Sequence, residues 1–217
     1  SYRLVASGPA DSGSYTVTVT NSEGTATSES AALTVLVPEI GPTAWLSNLS
    51  VRTTLETGQQ LILGFFAKGP KIILLRGAGP ALTALGVGLG GHPDPTLRVF
   101  DVAGRQIDQN DNWNPALATT FAQQGAFSFP AGSLDSALLA NVAGQNTAIM
   151  SGSGRGVVLM ELYDTQTGRS NRVINISARN FIGTSENALI AGFMIAGSGS
   201  KRLLIRGVGP TLAQFGV

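Results

Sequence analysis

The chain has 217 residues, a formal net charge of +1 and only 12% charged residues, against roughly 25% in ordinary soluble domains. No basic stripe stands out, so nucleic-acid binding has no electrostatic footprint, and a sequence without cysteine excludes disulfides, thiol catalysis and zinc–cysteine sites. No apolar run reaches the roughly 18 residues that a membrane helix needs, which argues against insertion, and 28 glycines fit many short strands joined by tight turns.

Residues 1–37 read as a β segment. Asp11-Ser-Gly-Ser-Tyr15 precedes an alternating run that sets Tyr15, Val17 and Val19 on one face; Asn21-Ser-Glu-Gly24 makes a turn and the chain returns to Val35. This D-x-G-x-Y pattern followed by a hairpin resembles the tyrosine corner and last two strands of an immunoglobulin-like domain. Antibody domains carry a cysteine two residues after that tyrosine, where Val17 stands here, as in cysteine-free bacterial modules of the type. Residues 38–45, with Pro38, Gly41 and Pro42, read as a linker.

The remainder is built on a repeat. Asn48-Leu-Ser-Val-Arg52 returns as Asn175-Ile-Ser-Ala-Arg179, an offset of 127 (175 minus 48), and Ile62-Leu-Gly-Phe65 returns as Ile190-Ala-Gly-Phe193, an offset of 128. Residues 72–87, IILLRGAGPALTALGV, return at 203–217 as LLIRGVGPTLAQFGV. The drift in offset belongs in turns, as in duplicated β units. Arg76, Gly77, Gly79 and Pro80 match Arg206, Gly207, Gly209 and Pro210, and each set predicts a strand, a glycine turn and a short helix entered by proline and closed by Gly86 or Gly216. The Asn-x-Ser triplets at Asn48 and Asn175 recur inside predicted strands, so they read as strand sequence rather than as glycosylation sites.

Between the copies, 88–172 reads as a jelly-roll-like unit. Strands are expected at 96–102, 105–107, 126–129, 147–151 and 157–163, a short helix at 134–140, and a polar loop from Asp108 to Trp113. The expected fold is all-β: a partial Ig-like sandwich, then a first β repeat at 46–172 (46–87 and 88–172), then an incomplete second copy at 173–217.

Residues 46–217 resemble a tandem repeat of large secreted or surface-anchored proteins of environmental bacteria. Leu49-Ser-Val-Arg52, Leu63-Gly-Phe65, Leu75-Arg-Gly-Ala-Gly-Pro80, Asn110-Asp-Asn-Trp113, Gly132-Ser-Leu-Asp-Ser-Ala137 and Glu161-Leu-Tyr-Asp164 carry the resemblance. The middle unit is also similar, more loosely, to pre-peptidase C-terminal β-sandwiches. The resemblance implies a non-catalytic, extracellular role at a bacterial cell surface.

Candidate chemistry is sparse. Gly77-Ala-Gly79 lacks the third glycine of a dinucleotide loop and the Gly-Lys-Ser/Thr of a P-loop, so we read Arg76 to Pro80 and Arg206 to Pro210 as structural turns, each arginine serving turn carbonyls or a carboxylate. Asp108, Asn110 and Asp111, with Asp101 one strand earlier, form a dense oxygen cluster and a candidate calcium site; no other cofactor is expected. His92, the single histidine, reads as loop decoration, and no Gly-x-Ser-x-Gly elbow accompanies it. Trp113, and Trp45 with it, are candidates for stacking against a surface glycan.

Two readings follow, a structural stalk or fibre and a carbohydrate- or calcium-dependent adhesion module. Ser1 is not a natural start, and the N-terminal hairpin lacks the strands it should pack on. Val17, Val19, Leu33 and Val35 are then expected to find cover by one of two routes, further strands of a longer parent chain or strand addition to another copy; the second is favoured and gives a homo-oligomer or filament.

Overall fold

A computed structural model describes residues 8–35, 44–87, 90–166 and 171–216. The chain divides into two compact units, Ser1–Gly41 and Pro42–Val217. Most of the expected linker at 38–45 lies outside the described residues.

The first unit is an interrupted hairpin. Strands β1 (Gly13–Tyr15) and β4 (Ala31–Leu33) pair antiparallel, and beyond them β2 (Thr18–Asn21) pairs with β3 (Gly24–Thr27). Asn21 Oδ1 accepts from the amides of Glu23 and Gly24, an Asx turn that closes the tip. The Tyr15 hydroxyl donates to the Asp11 carbonyl at 2.7 Å, the hydrogen bond of a tyrosine corner. Val17 and Val19 are exposed.

The second unit contains β5 (Trp45–Leu55), β6 (Leu61–Ala78), α1 (Pro80–Ala84), β7 (Thr96–Asp101), β8 (Gln106–Asn110), α2 (Ala118–Gln123), β9 (Ser136–Ser151), β10 (Gly156–Asp164), β11 (Val173–Arg179) and β12 (Ile190–Ala196). The strands form one eight-stranded antiparallel sheet in the order β12-β5-β10-β6-β9-β7-β8, with β11 on β6. None of the described helices is long and apolar enough to cross a membrane.

The long pair β6–β9 organises this sheet. Its register breaks between Ala67 and Lys71, where Gly69 takes φ +97°, and on β9 Gly144 takes φ +64°. Across the break β6 changes its other neighbour: the first half pairs with β11, the second half with β10. A bulge of this kind lets strands pass from one layer of a sandwich to the other. Leu61, Leu63 and Phe65 from before the bend thus join Ile73 and Leu75 from after it, with Val51, Leu97, Val99, Ala148, Met150, Val158, Met160 and Leu162, in one core. A second cluster covers the outer face of the β10–β6 layer: Leu74, Ala78, Val157 and Tyr163 packed by Leu82 of α1, Phe121 of α2 and Phe129.

Several expectations are corrected. The segments 46–87 and 88–172 do not form separate units, because β10 lies between β5 and β6 and β9 lies beside β6. Residues 134–140 were expected as a helix; Ser136 onward is strand β9, since pairing with β6 from Gly77 back to Lys71 outweighs the helix propensity of Ala and Leu. No strand forms at 126–129, where Phe127 and Phe129 turn in as cover for the second cluster. Strand β8 runs on to Asn110, so Asp108 and Asn110 are strand residues rather than loop residues. In the second copy, residues 197–209 form no strand before the turn, which is followed by a 3-10 helix, Pro210–Phe215.

The two copies interlock. Strand β12, equivalent to the first half of β6, pairs with β5, while β11, equivalent to β5, pairs with the first half of β6. The registers are the same once the repeat offsets are applied. Arg52, Val51, Ser50, Leu49 and Asn48 face Ile190, Ala191, Gly192, Phe193 and Met194; Arg179, Ala178, Ser177, Ile176 and Asn175 face Ile62, Leu63, Gly64, Phe65 and Phe66. A Cβ placed on Gly64 would meet Ser177 Oγ at 2.8 Å, and one on Gly192 would meet Ser50 Oγ at 2.9 Å. The repeats have exchanged equivalent strands about a pseudo-twofold relation.

His92 is fully buried, not loop decoration. Its amide donates to the Val157 carbonyl at 2.8 Å, and its ring fills the space above the 151–156 glycine loop, where a Cβ on Gly152 would lie 2.2 Å from Cε1. Nδ1 accepts from the Asp94 amide, and Nε2 makes no aligned hydrogen bond. Burial lowers the imidazole pKa, outweighing the opposite pull of the Gly154 backbone and the Asp94 charge. An unfolded histidine binds its proton near pH 6.5 and the folded one only at lower pH, so this contribution is complete above about pH 6.5 and declines as pH falls below it. Since His92 is the single histidine, the urea midpoint is expected to drop between pH 7 and 5.5 in the parent chain and to stay flatter in His92→Gln; parallel curves would refute the assignment.

Candidate functional site

Two cations on β6 organise the polar chemistry of the second unit. On β6, Leu74, Arg76 and Ala78 face the outer cluster while Ile73 and Leu75 face the first core. Arg76 is fully buried and lies against three rings, its Cζ 4.3, 4.4 and 4.2 Å from the centroids of Phe121, Phe127 and Phe129. Nη2 donates to the Phe127 carbonyl at 2.6 Å, and Nη1 sits 2.9 Å from Glu161 Oε2 on β10. That last contact is close but misaligned as a hydrogen bond, so it acts mainly through charge. Desolvated cation–π contacts of this kind contribute on the order of 2 kcal/mol.

Glu161 pairs directly with Arg76 in the β10–β6 register and accepts from the Tyr163 hydroxyl at 2.7 Å. Burial raises the Glu161 pKa despite the nearby Arg76 and the Tyr163 hydrogen bond, and burial beside Glu161 pushes the Tyr163 phenol up as well. Three residues along β10, Asp164 meets Lys71 at 2.5 Å with both side chains out of solvent, and Arg172 approaches Asp164 at 3.4 Å.

The glycine turn begins at Gly79. Arg76 and Gly77, expected in the turn, are paired strand residues of β6, whose pairing with β10 runs on to Ala78. The Gly79 amide donates to Asp135 Oδ1 at 2.7 Å and the Ala81 amide reaches both carboxylate oxygens at 3.2 Å, while Ser133 Oγ donates to Oδ2 at 2.6 Å. The anion at this helix start is therefore the chain's own Asp135, which is fully buried. Pro80 costs nothing at the first helical position, where an amide would go unpaired. The glycines admit neighbours: a Cβ on Gly77 would lie 2.5 Å from Ser136 Oγ, and one on Gly79 would lie 2.3 Å from the His92 carbonyl.

Arg206, Gly207, Gly209 and Pro210 are exposed, and among the described residues nothing lies within 4 Å of a Cβ placed on Gly207 or Gly209. The turn keeps its conformation all the same: Gly209 has φ −133° and ψ −82°, against −135° and −76° at Gly79.

The calcium candidates are held in ordinary β-structure contacts. Asp108 Oδ1 accepts from the Gln109 amide, Asn110 Oδ1 from the Ala137 amide, and Asp111 Oδ1 from the Thr96 hydroxyl. Asp101 is committed to the Ala103 and Arg105 amides and to the Arg105 side chain. Among the described residues no three acidic or histidine side chains converge. Trp113 is half-buried and stacks on Phe121 at 5.6 Å, with Phe129 edge-on at 5.7 Å, so its ring extends the cage around Arg76. Trp45 lies under the Arg172 guanidinium at 4.1 Å. A small crevice joins equivalent loops of the two repeats, lined by Thr54, Glu56 and Gln59 on one side and Phe181, Gly183 and Asn187 on the other.

Sequence reasoning missed Asp135 and the phenylalanine cage. A signal was present in Lys71 and Arg76, which recur at the same five-residue spacing as Lys201 and Arg206 and so call for a pair of carboxylates. Compared with known proteins, the chain matches no family model, no curated protein and no solved structure.

Arg76→Met strands the Glu161 charge and is expected to cost about 3–5 kcal/mol by urea denaturation, with most of the loss recovered in Arg76→Met/Glu161→Leu. A double variant as unstable as the single would contradict the pairing. Gly79→Ala is expected to cost about 2 kcal/mol or more by overpacking, whereas Gly209→Ala should stay within about 0.5 kcal/mol of the parent; equal effects would refute the close-approach account.

Proposed function

We propose that this chain is a non-catalytic structural module of an extracellular stalk or fibre at a bacterial surface, assembled end to end. The observation that carries the reading is the strand exchange between repeats. Each copy completes a sheet of the other through equivalent residues, so the interface between repeats is part of the fold rather than a surface added to it. Load along such an array is borne by backbone ladders as well as by side-chain packing.

Supporting observations come from the polar groups. Arg76, Glu161, Asp135 and His92 are enclosed, so they serve packing and are out of reach of a substrate. The adhesion reading has less support, because the Asp108, Asn110 and Asp111 oxygens serve strand and loop contacts and one face of Trp113 is covered by Phe121. Assembly between chains is assigned to the N-terminal hairpin, whose strands are short and exposed, with Val17 between β1 and β2 and Val19 within β2 both uncovered. Strand addition there places those side chains against a second chain in a head-to-tail contact that need not close.

Sedimentation velocity over a concentration series, with electron microscopy of the same samples, tests this. The parent chain is expected to form concentration-dependent oligomers, and Val17→Lys/Val19→Lys to weaken association by about tenfold or more per valine. A parent chain that stays monomeric and forms no filaments at high concentration overturns the reading.

A further inference from the structure

We propose that the second repeat is a docking surface for one kind of occupant, a further polypeptide segment of the 88–172 type. That segment adds strands to the open edges of β11 and β12 and brings a Glu-x-x-Asp strand to Lys201 and Arg206. The inference rests on the reading of the chain as a repeat-built structural module.

The pseudo-twofold relation says what belongs at each open edge. In the first repeat β5 has β10 on one side and β12 on the other; its equivalent, β11, pairs only with β6 among the described residues. The first half of β6 has β9 on one side and β11 on the other; its equivalent, β12, pairs only with β5 among the described residues. A strand like β10 therefore fits the open edge of β11, and a strand like β9 fits the open edge of β12. Both layers of the sheet would then continue from one repeat into the next.

Charge says which sequence fits. Lys71 and Arg76 are buried because Asp164 and Glu161 answer them from β10. Lys201 and Arg206 occupy the same positions, are exposed, and make no ion pair among the described residues. The apolar positions tell the same story. Leu74 and Leu75 are fully buried, while their equivalents Leu204 and Ile205 are 87% and 75% exposed; Phe65 is 3% exposed and its equivalent Phe193 is 47%. Leu85 and Phe215 are exposed in both copies, at 60% and 74%, so the difference is confined to positions that β9, β10 and their loops cover in the first repeat.

The receiving turn is already formed. Gly209 matches Gly79 in conformation, Leu212 donates to the Gly209 carbonyl at 2.9 Å as Leu82 does to Gly79 at 3.0 Å, and Gly216 takes φ +70° against +74° at Gly86. Its missing element is the carboxylate that Asp135 supplies to the first turn. An incoming 88–172 segment carries that aspartate as well as the acidic strand. Gly207 and Gly209, which touch nothing now, correspond to Gly77 and Gly79, which admit Ser136 and the His92 carbonyl.

The test appends a second copy of residues 88–172 after Val217 and follows amide hydrogen exchange over residues 190–208 in dilute, monomeric protein. Exchange is expected to slow on the order of a hundredfold or more relative to the parent chain, as edge strands enter a ladder. An appended segment carrying Glu161→Lys and Asp164→Lys should leave those amides fast. Gly209→Ala, silent in the parent, should speed exchange in the extended chain, because its Cβ then meets the incoming loop. Exchange unchanged by the native segment, or slowed equally by the charge-reversed one, overturns the proposal. Exchange is measured below the concentration of assembly and filaments are sought separately at high concentration, so protection with no filaments there would retain this docking and remove the fibre reading, and filaments without protection would do the reverse.

Discussion

The second unit depends on two buried cations on β6 being answered by two carboxylates on β10. Removing a lysine or arginine from water costs several kcal/mol unless an opposite charge and hydrogen bonds replace the solvent. Arg76 meets that demand with Glu161, the Phe127 carbonyl and three aromatic faces, and Lys71 meets it with Asp164. Because Glu161 and Asp164 lie three residues apart, their side chains leave opposite faces of the strand. One register of β10 against β6 satisfies both pairs, and a one-residue slip would exchange the faces of both carboxylates. The charges specify pairing in a strand whose apolar residues would tolerate several alternatives.

That strand explains why the sheet needs cover on both sides. β10 is buried along nearly its whole length, with Val158, Met160 and Leu162 in the first core and Val157, Glu161 and Tyr163 in the second. The cover over the outer face comes from short pieces: α1, α2 and the loop bearing Phe127 and Phe129. Short pieces need anchors, and Asp135 supplies one by capping the turn before α1 while its carbonyl accepts from the Trp113 amide. His92 supplies another by filling the hollow over Gly152, Gly154 and Gly156. Each buried polar group holds a connection in place, which is how a chain with few charged residues uses them.

The strand exchange between repeats follows from the same economy of cover. β5 and the first half of β6 are joined by a short turn, yet they lie in different layers because β6 bends and β10 occupies the inner edge of β5. Each therefore keeps one free edge, and the equivalent strands of the next repeat fill both. The Ser50–Gly192 and Ser177–Gly64 pairs show how closely the two contacts agree, since in each a serine hydroxyl occupies the space that a Cβ would need.

By itself the sequence determined the β class, the N-terminal hairpin with its tyrosine hydrogen bond, and the entry of proline after Gly79 and Gly209. These are local matters: alternation, turn chemistry and proline at a helix start act over a few residues, which is why Gly79 and Gly209 agree in conformation although only one turn is covered. Tertiary structure decided what locality cannot. It turned Ser136 and the Ala-Leu-Leu run after it into strand rather than helix, drew Phe127 and Phe129 into a cage, and gave the oxygens of Asp108, Asn110 and Asp111 their strand and loop hydrogen-bond partners. It also set Arg76 against Glu161 across 85 residues of sequence (161 minus 76). Pairing over that distance depends on which strand fills the edge beside β6, and the bend at Gly69, together with the bulk and charge that meet across it, makes that choice.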